Sequence, residues 1–492
     1  MKPNFLIFMT DQQRGDMQPT YQTAKMPNVS KLADNGVVFR RAYCPSPHCC
    51  PSRATFFSGL YPSQHGVWNN VDLADALSKG LYDNVRLFSE DLKENGYHLY
   101  YSGKWHVSAL ENPKDRGFEE LYVRRRQTGE PEHKGRIPDM RDWRWFEEKK
   151  YLDNDKETFR KDGEIVRQGF PEYCQYGETE NPFGDEDVVR RAKEKIADLP
   201  KEEPFCMYVG TLGPHDPYFV PERYLEMYPL EEIELPKSYT DSLLDKPNLY
   251  RRTQNRFRQL TEEEQKKSLQ HYLAFCSYED ALFGEILDEL EQNDLLDSTI
   301  VIYLSDHGDY AGAHGLWTKG LPCFEEAYHI CSVIGYGGIR GKGRAVEELV
   351  SLSDYAPTIL ELADVSVERK FAGRSLVPFL EGTAPEKWRT ELYTQSNGNE
   401  LYGIQRAVFD NKFKFVYNGF DFDELYDLVQ DPEECHNLAG EEHYADMKRL
   451  YYKKLWEFAY ENQDMLGDSY ITTALMDYGA GIMRAKTSDT DK

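Results

Sequence analysis

The amino-acid sequence predicts an α/β fold with an open main sheet, followed by a second, smaller domain. Four short apolar segments run directly into polar loops, as buried strands of a parallel sheet do: residues 4–9, 97–101, 204–210 and 299–304. Helical patterns punctuated by proline and glycine lie between these segments, for example at residues 26–36 and 87–96. Alternation of strand and helix patterns along one chain is typical of α/β proteins.

Polar residues whose side chains can bind a metal ion or transfer a proton follow each of the four apolar segments. In chain order they are Asp11, Gln12, Lys104, His106, His215, Asp306 and His307. Ligands of open α/β sheets bind beyond the carboxyl ends of the strands. We therefore expect one site to collect these side chains, although they come from distant parts of the chain.

Two regions interrupt the α/β pattern. Residues 122–182 mix charge, proline, glycine and tryptophan without sustained periodicity, so we interpret them as an insertion, either a solvated excursion or a lid over the substrate. From residue 366 onward, short segments alternate like antiparallel strands. The expected division is a larger domain at residues 1–365 that carries the site, and a smaller C-terminal α+β domain at residues 366–492, built on an antiparallel sheet.

The charge of the chain restricts its partners. Its 59 Lys and Arg residues and 85 Asp and Glu residues give a net charge of −26. Such a surface repels the phosphate backbone, so no nucleic-acid partner is expected. An anionic substrate would need a local basic pocket.

The cysteines and the apolar segments indicate the cellular compartment of the protein. Nine cysteines, an odd number scattered over the chain, do not resemble the disulfide framework of a secreted protein. The apolar run before Asp11 is shorter than the apolar core of a signal peptide, and no segment is long enough to span a bilayer. The sequence therefore predicts a cytoplasmic protein without a membrane partner.

The stretch SPHCCPSR at residues 46–53 predicts a helix N-terminus. Pro51 suits the first turn of a helix and Gly59 suits its end, which places Cys49 just before the N-terminus. Unpaired backbone N–H groups there favour an anion and acidify a thiol, and Arg53 lies one turn along on the same face. The residues alone leave two interpretations open, an anion-binding catalytic element and a pair of ordinary buried cysteines.

The wider stretch CPSPHCCPSRATFFSGLYPSQHG at residues 44–66 resembles the signature of the sulfatases. That signature is Cys-x-Pro-Ser-Arg followed by a glycine, a proline and His-Gly, and its register selects Cys49. The resemblance implies that a separate maturating enzyme oxidises Cys49 to formylglycine. The hydrated aldehyde would be the nucleophile, since it offers one hydroxyl for attack and a second that later expels the bound group.

Asp11-Gln12 and Asp306-His307 match the pairs that form the metal site of this family, in which residue 49 is the remaining protein ligand. The resemblance implies one divalent cation at Asp11, Gln12, Cys49, Asp306 and His307, with Ca²⁺ preferred and Mg²⁺ or Mn²⁺ as alternatives. Many sulfatases have Asp-Asp and Asp-Asn at these pairs. The version found here also resembles the phosphonate monoester hydrolases of the same superfamily, which leaves sulfur and phosphorus substrates open.

Three further motifs resemble family blocks that handle the sulfate. GKWH supplies Lys104, which would bridge the nucleophile and the sulfate oxygens, and His106, which would act as a base in the second half of the reaction. GPHDP supplies His215 and TKG supplies Lys319, and either would protonate the leaving alcohol. Together with Arg53, these groups would stabilise the charge on the transferring group.

Two other histidines are less informative. His314 either faces the pocket or is an ordinary loop residue beside glycines. His329 stands where the family usually carries an arginine, and no catalytic role is assigned to it.

The segment DELYDLVQDPEECHNLAG at residues 423–440 resembles the C-terminal end of sulfatases, so the resemblance runs from residue 4 to about residue 440. It implies an alkaline-phosphatase-like fold, with a mixed, mainly parallel sheet between helices and a smaller antiparallel sheet packed against it. The expected activity is hydrolysis of sulfate esters. Two alternatives are hydrolysis of phosphonate monoesters or phosphodiesters at the same site, and an inactive binding protein in which Cys49 is never matured.

The identity of the substrate is open within that class. Residues 122–150 and 240–260 combine aromatic residues with arginine and would form either sugar-binding rims or oligomer contacts. A sulfated carbohydrate is expected ahead of a small aryl or choline ester. Residues 467–483 would serve as an exchange arm in a homo-oligomer.

Overall fold

The computed structural model describes residues 2–21, 23–73, 76–123, 160–166, 173–399, 401–464 and 470–484. Most of the insertion at 122–182, including nearly all of the expected rim at 122–150, lies outside the described residues. The strands are β1 Asn4–Thr10, β2 Gly36–Phe39, β3 Ala42–Tyr43, β4 His98–Gly103, β5 Glu119–Val123, β6 Tyr176–Glu178, β7 Phe205–Gly210, β8 Tyr218–Val220, β9 Thr299–Ser305, β10 His329–Ile330, β11 Ser332–Tyr336, β12 Arg344–Val346, β13 Val350–Ser351, β14 Leu392–Gly398, β15 Tyr402–Phe409, β16 Phe413–Asn418 and β17 Glu424–Asp427. The helices are α1 Pro27–Asp34, α2 Cys49–Ser58, α3 Pro62–His65, α4 Phe88–Glu94, α5 Asp185–Ala197, α6 Glu222–Leu225, α7 Asn248–Phe257, α8 Glu262–Gln292, α9 Glu325–Tyr328, α10 Tyr355–Leu362, α11 Val377–Leu380, α12 Ala445–Glu461 and α13 Tyr470–Leu475.

Eight strands form the main sheet, in the order β12-β2-β11-β9-β1-β7-β4-β5. β1 pairs in parallel with β7 and β9, and β4 pairs in parallel with β5 and β7. β11 runs antiparallel to both of its neighbours, β2 and β9. The mixed, mainly parallel sheet predicted from the sequence is confirmed, and the four predicted apolar segments form β1, β4, β7 and β9.

Both faces of the main sheet are covered, which explains why its strands are apolar throughout. Along β1, Phe5 and Ile7 point into one core, with α2, α4 and α10, whereas Leu6 and Phe8 point into the other, with α1, α5 and α8. The alternation follows from the two-residue repeat of a strand. The sheet therefore lies between two helical layers, as the sequence predicts.

The carboxyl ends of β1, β4, β7 and β9 meet at one edge of the sheet. The register pairs Thr10 with Ser305, Met9 with Gly210, and Gly210 with Gly103. These four strands thus end at nearly the same level. The loops that follow them carry the polar residues that the sequence analysis singled out, so the topology brings those loops together.

Helix α2 enters the same edge with its N-terminus. It begins at Cys49, with His48 at the N-cap position and Gly59 in the left-handed conformation at the C-cap. The prediction of Cys49 just before the helix is wrong by one residue, because the chain becomes helical two residues ahead of Pro51. The N–H groups of the first turn still lack intrahelical partners there, so the position keeps its attraction for anions.

The C-terminal part forms the predicted antiparallel sheet, in the order β14-β15-β16-β17. One face, including Val408 and Phe415, packs against Tyr452 and Trp456 of α12. The other face joins the core of the main sheet through Ala407, Val416 and their neighbours. The two sheets share this packing, and the domain boundary at residue 365 stays a prediction.

Two general expectations can be compared with the structure. All nine cysteines fall within the described residues, and each is a free thiol. Within the described parts of the chain, no helix combines the length and the apolar character that crossing a bilayer requires.

Candidate active site

Four buried side chains from three distant segments converge at the sheet edge: Asp11, Cys49, Asp306 and His307. One ligand atom from each lies within 4.8 Å of the others. Cys49 Sγ is 3.7 Å from Asp11 Oδ1 and 3.3 Å from His307 Nε2. His307 Nε2 is 3.6 Å from a carboxylate oxygen of Asp11 and of Asp306. The structure therefore brings together four of the five expected metal ligands.

The backbone at the strand ends sets this geometry. Asp11 directly follows β1, and Asp306 follows β9, the parallel neighbour of β1. Asp306 Oδ1 accepts hydrogen bonds from the backbone N–H groups of Gln12 at 3.1 Å and His307 at 2.9 Å. Gln12 has a φ of 70°, a left-handed conformation that is uncommon outside glycine and turns the chain sharply after the strand.

Arg53 supplies the positive charge beneath the two carboxylates. Its Nε donates to Asp306 Oδ2 at 2.8 Å, and its Nη2 donates to Asp11 Oδ2 at 3.1 Å. Its Nη1 donates to the Tyr208 hydroxyl at 2.9 Å and to the Lys104 carbonyl at 3.2 Å. The side chain is fully buried and each of its nitrogens is engaged. Arg53 thus holds the carboxylates of two candidate metal ligands, whereas it was expected to face the anion.

The pKa values of the two carboxylates are shifted in opposite directions. Burial raises the pKa of Asp11, but Lys104, His215 and Arg53 outweigh it and hold that pKa below its usual value. Burial and the Asp11 carboxylate together raise the pKa of Asp306 above its usual value. Two carboxylates this close repel each other when both are ionised, and a bound cation would relieve that repulsion.

The donor set fits a divalent cation. Asp11 and Asp306 offer carboxylate oxygens, and His307 offers an imidazole nitrogen. His307 Nδ1 lies 2.9 Å from the carbonyl oxygen of Gly308, which accepts its proton and leaves the lone pair of Nε2 free for a cation. Oxygen donors suit Ca²⁺, Mg²⁺ and Mn²⁺. The residues present therefore fit a divalent cation, and the identity of that cation stays a prediction.

Gln12 makes its side-chain contacts beside the cluster. Its Nε2 donates to Asp309 Oδ2 at 2.5 Å and to Asp216 Oδ1 at 3.3 Å, and its Oε1 accepts from Lys319 Nζ at 2.5 Å. The amide thus connects the loop after β1 to the lysine expected to face the sulfate. Its role as a metal ligand stays a prediction.

Lys319 and His215 form a pair at the mouth of the cluster. Lys319 Nζ lies 2.5 Å from His215 Nε2. An ammonium group can only donate, so His215 Nε2 accepts this bond and its proton sits on Nδ1. His215 Nδ1 donates that proton to the carbonyl oxygen of Asp216 at 2.6 Å. The pair therefore holds a transferable proton between two nitrogens.

The surroundings of residue 49 stabilise negative charge. Burial raises the pKa of the Cys49 thiol, but Lys104, Lys319 and His307 outweigh it and lower that pKa well below its usual value. Lys104 Nζ also forms an ion pair with Asp11 Oδ2. Two lysines and a histidine thus favour negative charge at residue 49 although the whole chain carries a net charge of −26, which is consistent with a pocket for an anionic substrate.

His106 lies beside residue 49, as expected from the sequence. Its side chain contacts that of Cys49. Its Nε2 is 3.1 Å from Asp72 Oδ1, and its backbone has a φ of 52°. Asp72 was not among the predicted site residues, because no motif marks it.

Asp309 and Tyr208 are further site residues that the sequence analysis missed. Asp309 Oδ2 accepts from Gln12 and from the Tyr218 hydroxyl at 2.6 Å, and Oδ1 accepts from the Thr318 N–H at 2.9 Å. Its position three residues after Asp306 was the available signal. Tyr208 lies inside the apolar β7 pattern, which gives no sign of its bond to Arg53.

His314 and His329 make packing contacts and hydrogen bonds with residues outside the candidate site. The His314 ring stacks on Phe324 with 3.6 Å between centroids, and its Nδ1 is 2.9 Å from Asp241 Oδ2. His329 Nε2 is 2.7 Å from the Arg40 carbonyl oxygen. The ordinary interpretation of His314 is thus the one that its contacts favour.

Comparison with known proteins agrees with this geometry. The profile of the family described as Sulfatase matches residues 3–365, and that of the C-terminal region of N-sulphoglucosamine sulphohydrolase matches residues 312–461. The chain is 31% identical over 471 residues to the uncharacterized sulfatase YidJ of Escherichia coli K12, covering 93% of this chain and 87% of the relative. It is also 31% identical over 466 residues to a choline-sulfatase of Rhizobium meliloti, covering 89% of this chain and 82% of the relative.

Solved structures share the fold. The phosphonate monoester hydrolase of Agrobacterium radiobacter aligns with a TM-score of 0.74 at 23% identity, covering 94% of this chain and 96% of that one. A protein solved in complex with its substrate D-glucosamine-2-N,6-O-disulfate aligns with a TM-score of 0.71 at 20% identity, covering 94% and 99%. The profile match over most of the chain and the 31% identity to two sulfatases show that this chain belongs to the sulfatase family.

Proposed function

We propose that this sulfatase hydrolyses sulfate esters of a sulfated carbohydrate, releasing an alcohol and inorganic sulfate. A maturating enzyme would first oxidise Cys49 to formylglycine, and one divalent cation, Ca²⁺ ahead of Mg²⁺ or Mn²⁺, would bind at Asp11, Asp306 and His307, with residue 49 and Gln12 as the other expected ligands. The observation that carries the proposal is the convergence of Asp11, Asp306 and His307 on the sulfur of Cys49.

The cation and the formylglycine would each supply one part of the reaction. When bound, the cation would polarise the sulfate, and the hydrated formylglycine would supply the attacking hydroxyl. The protein's own residues prepare the site for both. Arg53 fixes the Asp11 and Asp306 carboxylates, and Lys104 is positioned by Asp11.

Lys104, Lys319 and His215 act on the substrate. The two ammonium groups would neutralise charge that grows on the sulfate oxygens in the transition state. The proton held between Lys319 Nζ and His215 Nε2 would pass to the oxygen of the leaving alcohol. Because the Asp216 carbonyl fixes the His215 tautomer, the ring can accept this shared proton only at Nε2.

His106 would serve the second half of the reaction as a base. Its contact with the side chain of residue 49 supports this role.

The substrate class rests on relatives and on the expected rim at residues 240–260. One neighbour in fold was solved with a sulfated glucosamine as its substrate, and another relative is a choline-sulfatase. Helix α7 carries the exposed Arg252 and Arg256 within the expected rim at 240–260. Guanidinium groups at such a rim would bind further sulfates or carboxylates of a carbohydrate chain.

Three broader expectations belong to the same proposal. The nine free thiols support a cytoplasmic location. A domain boundary at residue 365 would separate the site from the C-terminal sheet. A homo-oligomer would form through the arm at residues 467–483.

The test compares matched aryl sulfate and aryl phosphonate esters on the matured protein, with Cys49→Ala as the inactive control. We expect the higher kcat/KM on the sulfate ester, with activity lost in Cys49→Ala. A large preference for the phosphonate ester would assign the protein to phosphonate hydrolysis. Intact-mass measurement of the matured protein separates the third possibility, because an unchanged mass at residue 49 and no turnover would indicate an inactive binding protein.

A further inference from the structure

We propose that Asp72 is a positioning residue that keeps the proton of His106 on Nε2, so that Nδ1 is the base toward residue 49. The inference rests on the proposed function, because it assigns a device to the second half of sulfate ester hydrolysis. Asp72 lies in the loop after α3 and belongs to none of the motifs that resemble the family.

Asp72 and His106 meet at hydrogen-bond distance. Asp72 Oδ1 lies 3.1 Å from His106 Nε2, and the exposed fractions of the two side chains are 18% and 20%. The loop around Asp72 is anchored to the start of α2. The Val71 N–H donates to Cys50 Sγ at 3.4 Å, and the Cys50 N–H donates to Asn70 Oδ1 at 3.1 Å. The carboxylate is thus fixed relative to the helix that carries residue 49.

The second ring nitrogen of His106, Nδ1, is available to accept a proton. His106 Nδ1 is buried and, among the described residues, has no hydrogen-bond partner. The ring also contacts the side chain of Cys49. An ionised carboxylate can only accept, so the nitrogen that faces Asp72 carries the proton of a neutral imidazole. Nδ1 therefore keeps its lone pair, as a general base requires.

The step that this arrangement serves is the release of sulfate. His106 Nδ1 accepts the proton of the hydroxyl that residue 49 retains, and a carbonyl forms at its carbon. The bond from that carbon to the sulfate oxygen breaks, and its electron pair leaves with the sulfate. His106 then returns the proton to water, while Asp72 stabilises the positive ring between these two events.

Two substitutions at Asp72 separate positioning from simple charge. Asp72→Ala removes the acceptor, so both tautomers become accessible. Asp72→Asn can present its amide N–H to Nε2 and thereby favour the tautomer with the proton on Nδ1, which blocks the base. Asp83→Asn is the matched control, since Asp83 is an exposed carboxylate on the same connection between α3 and α4.

The first readout needs no turnover. Long-range ¹H–¹⁵N spectra of the Cys49→Ala protein, which lacks the acidic thiol beside His106, report which nitrogen of each of its 12 histidine rings carries the proton. His106→Gln identifies the signals of His106. In this Cys49→Ala background we expect the Nε2–H tautomer without a further change and with Asp83→Asn, a mixture with Asp72→Ala and the Nδ1–H tautomer with Asp72→Asn.

The second readout is stopped-flow kinetics of the matured protein on p-nitrophenyl sulfate. Losing an oriented base should lower kcat in Asp72→Ala roughly 10- to 100-fold, with a burst of one nitrophenol per site because the second half becomes limiting. Unchanged His106 signals in both Asp72 variants, or kcat within about twofold of the wild type, would overturn the inference. A wild type without activity on any sulfate ester would instead refute the proposed function. The spectra would still show whether Asp72 sets the tautomer of His106.

Discussion

Replacing Arg53 by methionine tests how the metal cluster is held together. Methionine keeps much of the side-chain length but removes the guanidinium that contacts both Asp11 and Asp306. The two carboxylates would then remain buried beside each other without that counter-charge. We expect the variant to fold less stably without metal, and to gain more stability from metal than the wild type does.

The magnitude follows from the burial of the pair. The side chains of Arg53, Asp11 and Asp306 are all fully buried. Removing one partner of a buried ion pair costs about 3–5 kcal/mol, because the remaining charge stays uncompensated. A bound cation replaces part of the lost charge, and saturation at 100 times its Kd adds about 2.7 kcal/mol to the free energy of unfolding.

Urea unfolding, followed by tryptophan fluorescence with EDTA and with excess Ca²⁺, measures both effects. Arg190→Met is the matched control, since Arg190 is about half exposed and its pairs with Asp187 and Glu194 lie on the surface of α5. That variant should stay within about 1 kcal/mol of the wild type under both conditions. The reasoning is refuted if Arg53→Met loses less than about 1 kcal/mol in EDTA, or if Ca²⁺ stabilises it no more than it stabilises the wild type.

Three further predictions concern the proton donor, the acid stability and the metal requirement. Lys319→Ala should slow hydrolysis of alkyl sulfates roughly 10- to 100-fold more than that of p-nitrophenyl sulfate, because only the poor leaving group needs the proton; equal slowing in steady-state assays would argue against this role. Burial raises the pKa of Glu264, but hydrogen bonds from Arg160, Thr261 and Gly163 lower it to about 2. Its stabilisation is therefore complete above pH 4.5 and lost toward pH 2, so denaturant titrations should show Glu264→Gln about 1–2 kcal/mol less stable at pH 6 and equal to the wild type near pH 2, after discounting for solvent screening. EDTA should abolish sulfate ester hydrolysis, with Ca²⁺ restoring it more fully than Mg²⁺; full activity after exhaustive chelation would contradict the metal site.

The sequence predicted the features that depend on local pattern. The strands ending before Asp11 and Asp306 are apolar because both faces of the sheet are buried, and that pattern is visible without a structure. Their meeting could be predicted because parallel strands place their carboxyl ends at one edge. The four C-terminal strands were predicted from alternation, which reflects their different faces.

Contacts that depend on three-dimensional packing were not predictable in this way. Gln12 was expected at the metal, which stays a prediction, whereas the hydrogen bonds of its amide to Asp309 and Lys319, which lie far along the chain, were not expected. Arg53 was expected to face the anion, but it turns into the protein toward Tyr208. Side-chain direction at a strand end depends on the backbone turn that follows, and a φ of 70° at Gln12 carries no glycine or proline signal.

Asp72 shows a different limit. An aspartate in a polar loop is ordinarily a turn residue, and the residues next to Asp72 in the sequence give no sign of a functional role. Only the fold of the loop against Cys50 brings it to His106. Sequence motifs therefore mark the residues expected to contact the reacting groups more readily than the residue that we propose orients one of them.

Diffraction from crystals of the matured protein grown with Mn²⁺ tests the central claim most directly. We expect one anomalous peak per chain, about 2.0–2.6 Å from oxygen or nitrogen atoms of Asp11, Asp306 and His307 and in contact with residue 49. Asp306→Asn crystals should show a weaker peak at the same place. An anomalous peak elsewhere in the chain, or none at these four residues at saturating Mn²⁺, would contradict it.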